Sequence, residues 1–171
     1  GFYYANDAPK AGQILAFDET TTYGLHVFTK RLRLSPWFTP GGEGYELFAD
    51  DNDNEPVLAP KSVDREKGPG LSRAEPPKWS KQIPLCVRAM VFARDKLFLA
   101  GPPDVVPEDD PYAAFDGKLG AKLWVVSASD GEKLAEYPLE SQPAFDGLIA
   151  ADGRLYLATA DGRLLCFRGA D

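Results

Sequence analysis

Apolar residues along this chain come in short runs that alternate with polar ones and are cut by Gly, Pro and Asp-Gly turns. That period of two is the mark of half-buried strands, and no segment sustains the 3.6-residue period of a helix. Asp109–Leu119 allows a turn or two of helix at most. The pattern also repeats. Met90–Gly101 aligns without a gap on Leu148–Thr159, each an apolar strand, a polar turn, then a basic residue leading an apolar-aromatic-apolar strand. A weaker copy runs from Leu15 to Gly24, with Phe17, Thr20 and Tyr23 at the positions of Phe92, Asp95 and Phe98. Repetition on this scale indicates stacked supersecondary units.

Three units follow. The first takes Gly12–Asp18, Thr21–Phe28, Gly44–Ala49 and Trp79–Ile83 as strands, and the second Cys86–Ala93, Lys96–Ala100, Lys122–Ala128 and Glu132–Leu139. The third has three strands, Ala144–Ala150, Arg154–Ala158 and Arg163–Phe167, joined by Asp152-Gly153 and Asp161-Gly162. Asp-Gly between alternating runs signals hairpins of the type I′ kind, which need positive φ; Asp130-Gly131 is read the same way. The units span residues 12–84, 85–140 and 143–169, with loop insertions at 50–77 and 102–120, and Thr29–Gly44 forms a further long connection.

Small antiparallel sheets that are apolar on both faces must stack on like neighbours. The expected class is therefore all-β, about three four-stranded antiparallel blades of a β-propeller. Propellers have four to eight blades, so three are expected to be a fragment of a larger ring. The remaining blades would come from the same protein or a second chain, with Phe2-Tyr3-Tyr4 fitting the end of an upstream blade. An independent unit would instead be an open array that oligomerises through its terminal faces.

Composition narrows the partners. The chain has 171 residues, 44% hydrophobic, and a net charge of -7, so clustered Lys and Arg for phosphate neutralisation are lacking and no nucleic-acid partner is expected. Lys30–Arg33 is the one short basic run, best read as a solvated turn. No apolar run reaches the roughly 20 residues of a membrane span. Cys86 and Cys166 have no metal-ligand spacing; they would pair only if the fold joins their strands, and are otherwise two buried thiols.

Candidate chemistry is sparse. His26 is the only histidine, so no His-based metal cluster can be assembled, any nucleophilic triad would depend on this one residue, and a structural or surface role is expected. Asp50, Asp51, Asp53 and Glu55 give oxygen ligands dense enough for Ca²⁺, although Glu55 stands where an EF-hand loop needs glycine. A solvated loop is the competing reading. Trp37 and Phe38, in a Pro- and Gly-bounded loop, are candidates for ligand binding, including stacking on a sugar. Trp79 and Trp124 lie in strands and are expected to pack between units. Gly41-Gly42-x-Gly44 has no helix after it to make a phosphate cradle.

Gly120–Gly169 resembles the pyrroloquinoline-quinone-like (PQQ-like) β-propeller repeat, in Lys122–Glu132 and in the two Asp-Gly turns flanking the aromatic-centred strand Arg154–Ala158. Val87–Asp104 is similar to a C-terminal arrangement in large bacterial propeller proteins, those of planctomycetes among them. The resemblance implies a non-catalytic binding or assembly scaffold, periplasmic or extracellular, with protein or glycan ligands and no cofactor. One alternative is part of a PQQ-dependent oxidoreductase holding PQQ and Ca²⁺; the chain lacks the adjacent cysteine pair often found there. A second is a carbohydrate-binding propeller.

Overall fold

The computed structural model describes residues 12–27, 30–32, 35–37, 41, 44–58 and 71–169. Among these residues fifteen strands run in chain order: β1 (Ile14–Phe17), β2 (Thr21–His26), β3 (Lys30–Leu32), β4 (Ser35–Trp37), β5 (Tyr45–Asp51), β6 (Pro56–Leu58), β7 (Leu71–Arg73), β8 (Trp79–Ile83), β9 (Ala89–Ala93), β10 (Lys96–Gly101), β11 (Ala121–Ser127), β12 (Lys133–Leu139), β13 (Pro143–Ala151), β14 (Arg154–Thr159) and β15 (Leu164–Arg168). Among the described residues there is no helix, so none that is long and apolar enough to cross a membrane. Asp109–Leu119 winds through consecutive turns closed by bonds such as Asp116 N–H to Tyr112 O, 2.8 Å, without becoming helical.

Three antiparallel sheets carry the fold, none of them closed: β1-β2-β5-β8, β9-β10-β11-β12 and β13-β14-β15. Each is a meander in which sequential strands pair, the insertions leaving order and register intact. Two three-residue ribbons, β3-β4 and β6-β7, stand inside stretches that read as loop.

Strand alternation then fixes the layers. In the first sheet Ala16, Tyr23, Ala49 and Trp79 form one row and Ile14, Leu25 and Leu47 the next. Both rows meet Met90, Leu97, Leu99, Trp124 and Val126 of the second sheet. The opposite face of that sheet, with Ala89, Ala100, Leu123 and Leu139, packs on Leu148, Leu155 and Leu157 of the third. β9, β10 and β11 of the middle sheet thus pack on both faces, as their apolar runs require, while β12 is largely exposed. Leu25, Leu47, Leu97, Leu99 and Leu157 are fully buried, each contributing roughly 1.5–3 kcal/mol. The sheets approach along their first strands, β9 lying between β1 and β13.

Trp79 locks the first two sheets together. Its Nε1–H donates to Ala128 O across the interface at 2.9 Å, and its ring lies against Gly131, where a Cβ would come within 2.7 Å of Cε3. Tyr23 stacks on Phe92 nearby, centroids 5.0 Å apart. Trp79 and Trp124 are both buried between sheets, the role their strand positions suggested.

The three Asp-Gly turns differ. Asp152 and Gly153 both have positive φ (50° and 70°), as the I′ reading requires. At Asp130-Gly131 and Asp161-Gly162 only the glycine does (74° and 84°). These two are longer loops in which glycine alone takes the left-handed position, and there the I′ expectation fails.

Both cysteines are free. Cys86 is half-buried and Cys166 exposed, so the expectation of two buried thiols holds for neither in full. Cys166 shares a row with Ile149 and Tyr156 on the outer face of the third sheet, a face that no other described sheet covers. Leu164 there is 70% exposed, and Phe17, on the outer face of the first sheet, is 75% exposed.

Candidate binding cleft

The second and third sheets part as they leave β9 and β13, because four strands face three. Between them opens a cleft of about 790 Å³. Phe98, Val125 and Tyr137 form one wall and Leu155 and Phe167 the other. Register explains the walls: Phe98 pairs with Val125, Leu123 with Tyr137, and Leu155 with Phe167, so each set shares a sheet face. Tyr137 is half-exposed because no strand of the third sheet lies opposite β12.

The mouth is basic. The turns between β9 and β10 and between β13 and β14 bring Arg94, Lys96 and Arg154 to its lining, with Asp95 and Asp152, and Arg168 joins them at the end of β15. Lys96 is held by Asp95 at 2.6 Å, and this bond keeps the Asp95 carboxyl below its ordinary pKa. Arg94, Arg154 and Arg168 make no ion pair with any described residue. Arg94 also has a φ of 60°, uncommon for a long side chain. An apolar slot rimmed by guanidinium groups that no described residue pairs, on a chain of net charge -7, suits a ligand with apolar and anionic parts.

The sequence-derived candidates lie elsewhere. Trp37 falls in β4, its backbone paired with Lys30, and Phe38 is outside the described residues, as are residues 42–43 and most of the 50–77 insertion from 59 onward. Asp50 is buried and fully engaged: it accepts from Arg73 Nε at 2.7 Å, Asn54 Nδ2 at 2.8 Å and the Asp51 amide at 2.9 Å. Arg73 lies over the Phe48 ring, 4.8 Å from its centroid, and Asn54 binds the Glu75 main chain, so the group clamps the base of that insertion. Asp51 is exposed and 3.6 Å from Lys78 Nζ; Asp53 and Glu55 are exposed. Among the described residues no three His, Cys, Asp or Glu side chains converge as metal ligands would.

His26 pairs through Nδ1 with Glu46 Oε2 at 3.1 Å and tilts against Phe48. That bond, with one from Ser80, holds the Glu46 carboxyl below its usual range despite partial burial. Cys86 lies beside Asp104, which also accepts from the Gly41 amide at 2.8 Å. Burial pushes the Cys86 thiol up to about 12, so it stays protonated and inert. The reading of the sequence missed the cleft. Its one visible trace was the basic residue leading the second strand of each close repeat, Lys96 and Arg154, which the fold brings to the same mouth.

Comparison with protein-family models, curated proteins and solved structures returned no match for the chain.

Proposed function

We propose that this chain is a segment of a PQQ-like β-propeller serving as a non-catalytic binding or assembly scaffold, exported from a bacterial cell. The observation that carries the reading is the stacking order. Successive sheets meet face to face with their first strands β1, β9 and β13 side by side, the arrangement that radial repetition requires. The two outermost faces support it, since Leu15, Phe17, Ile149 and Leu164 are left exposed where a further sheet would cover them. Binding falls to the loops and clefts around this frame, the paired sheets serving as support.

Sedimentation equilibrium over a wide concentration range tests the scaffold. The chain is expected to self-associate through its terminal faces, and Phe17→Lys with Ile149→Lys to abolish this. A monomer of 18.7 kDa at every concentration would overturn the open array. Incubation with PQQ and Ca²⁺ is expected to give no dye reduction; turnover would transfer the reading to a quinoprotein oxidoreductase.

A further inference from the structure

The insertion between β10 and β11 is pinned to the sheets by its main chain and turns its largest side chains outward. At its root Cys86 N–H donates to Pro102 O at 2.9 Å and Asp104 N–H to Pro84 O at 3.1 Å. Farther along, the buried Gln142 accepts from Arg88 and donates through Nε2 to Ala114 O and Phe115 O, at 2.8 and 3.0 Å. Ala113 and Ala114 are buried there, whereas Tyr112 is 69% and Phe115 75% exposed. The bond from Asp116 N–H to Tyr112 O closes one turn at helical spacing, so Tyr112, Phe115 and Asp116 share the side opposite the two alanines. This turn buries two methyl groups and leaves two aromatic rings in water, forgoing apolar burial that folding favours. Aromatic rings on a main chain already held in place are what interfaces use as anchors.

Charge around the turn is one-sided. Glu108, Asp109, Asp110 and Asp116 stand against Lys118 alone, which lies 2.6 Å from Asp110 and 3.4 Å from Asp116. Glu108 and Asp109 are exposed and pair with no described residue. Aromatic faces attract cations, as carboxylates do. Guanidinium satisfies both at once, because its plane stacks on a ring while its edge bonds a carboxylate at two points. The rings and the carboxylates thus select the same partner chemistry. The same charge disfavours anionic lipid and nucleic acid.

We infer that the turn at 112–116 and the acidic run before it form a docking surface for a partner protein segment presenting arginine beside apolar side chains. The inference deepens the scaffold reading by giving its partner a chemistry, and it uses the 102–120 insertion rather than the outer faces on which self-association depends. A monomeric chain that binds would lose the open array and keep this surface. A chain that self-associates without binding would do the reverse.

The probe is a short fluorescein-labelled peptide alternating arginine with leucine, titrated by anisotropy into the whole chain. Tyr112→Ser with Phe115→Ser should weaken binding about tenfold or more, through the loss of both anchors. Glu108→Gln with Asp109→Asn should weaken it about threefold or more and reduce its salt dependence. A peptide with lysine for arginine keeps the charge without the stacking fork and should bind more weakly. Glu19→Gln with Asp130→Asn removes the same charge from exposed turns at the opposite end of the strands and should leave affinity unchanged. All the altered residues are exposed, so circular dichroism should match the parent chain throughout. Hydrogen exchange should slow within residues 108–119 on binding. Unchanged affinity in the serine variant, equal binding of the lysine peptide, an equal loss in the Glu19 and Asp130 variant, or no binding at all would each overturn the proposal. So would binding that appears only once residues 1–11 are removed, the terminus then being the occupant. Attachment to phosphatidylcholine vesicles that depends on Tyr112 and Phe115, without peptide binding, would assign the rings to a lipid surface instead.

Discussion

Gly131→Ala should be costly for two separable reasons, and a second substitution can separate them. Residue 131 has a φ of 74°, where a side chain costs roughly 1–2 kcal/mol. Its new methyl would also stand 2.7 Å from Trp79 Cε3 and 2.9 Å from Cζ3. Trp79 cannot yield freely, being buried and held by its Nε1–H bond to Ala128 O, so overpacking adds about 1–3 kcal/mol. Trp79→Ala alone should cost about 3–5 kcal/mol, from the lost ring and the orphaned Ala128 carbonyl. In the double variant the backbone strain remains while the clash is gone. The combined loss should fall short of the sum by about 1–3 kcal/mol. Urea unfolding followed by far-ultraviolet circular dichroism measures all four corners of the cycle without relying on the removed fluorophore. Additivity to within about 0.5 kcal/mol would refute the docking of Trp79 on this turn, and with it the lock between the first two sheets.

Three further outcomes are expected. At pH 8 a thiol reagent should modify exposed Cys166 quickly, whereas Cys86, its thiol pushed up to about 12 by burial, has only about 10⁻⁴ of its population as thiolate; equal rates would contradict its buried setting. Arg73→Met should cost about 3–5 kcal/mol in urea titrations because it strands the buried Asp50 carboxylate, and adding Asp50→Leu should recover much of that loss. Glu46, Glu136 and Asp161 all have lowered pKa values, the last two at about 2. Their stabilisation is complete above the ordinary value near 4.5 and is lost as pH falls through the folded values. Unfolding midpoints should drop between about pH 4.5 and 2, and Glu46→Gln should flatten the upper part of that slope.

Much of the frame was legible in the sequence because strand alternation and turn residues act locally. β8, for instance, spans the Trp79–Ile83 read from the pattern, and Asp152-Gly153 turns the chain as its residue types dictate. The ribbons β3-β4 and β6-β7 were not legible. At three residues each, with Pro36 and Pro56 inside them, they are too short to show alternation. Asp50 looked like part of a solvated acidic run, since Arg73, its partner, lies beyond an insertion with no pattern linking the two. The exposure of Cys166 depended on whether another sheet follows the third, which no local signal reports. The cleft was hidden for a related reason: its mouth joins turns from two different sheets, and its depth comes from the difference between four strands and three.

Sheets stacked in chain order, with the outer faces of the first and third turned away from each other, are the core of this account. Nitroxide labels at Phe17→Cys and Ile149→Cys, in a chain carrying Cys86→Ser and Cys166→Ser, report on it directly by double electron–electron resonance. Both positions lie on first strands and on opposite outer faces. Two intersheet spacings of about 10 Å each, plus outward-pointing labels, predict a separation above about 20 Å. A distance below about 15 Å, little more than one such spacing, would mean that the sheets curl into a sealed sandwich or barrel, and would contradict the stacked array.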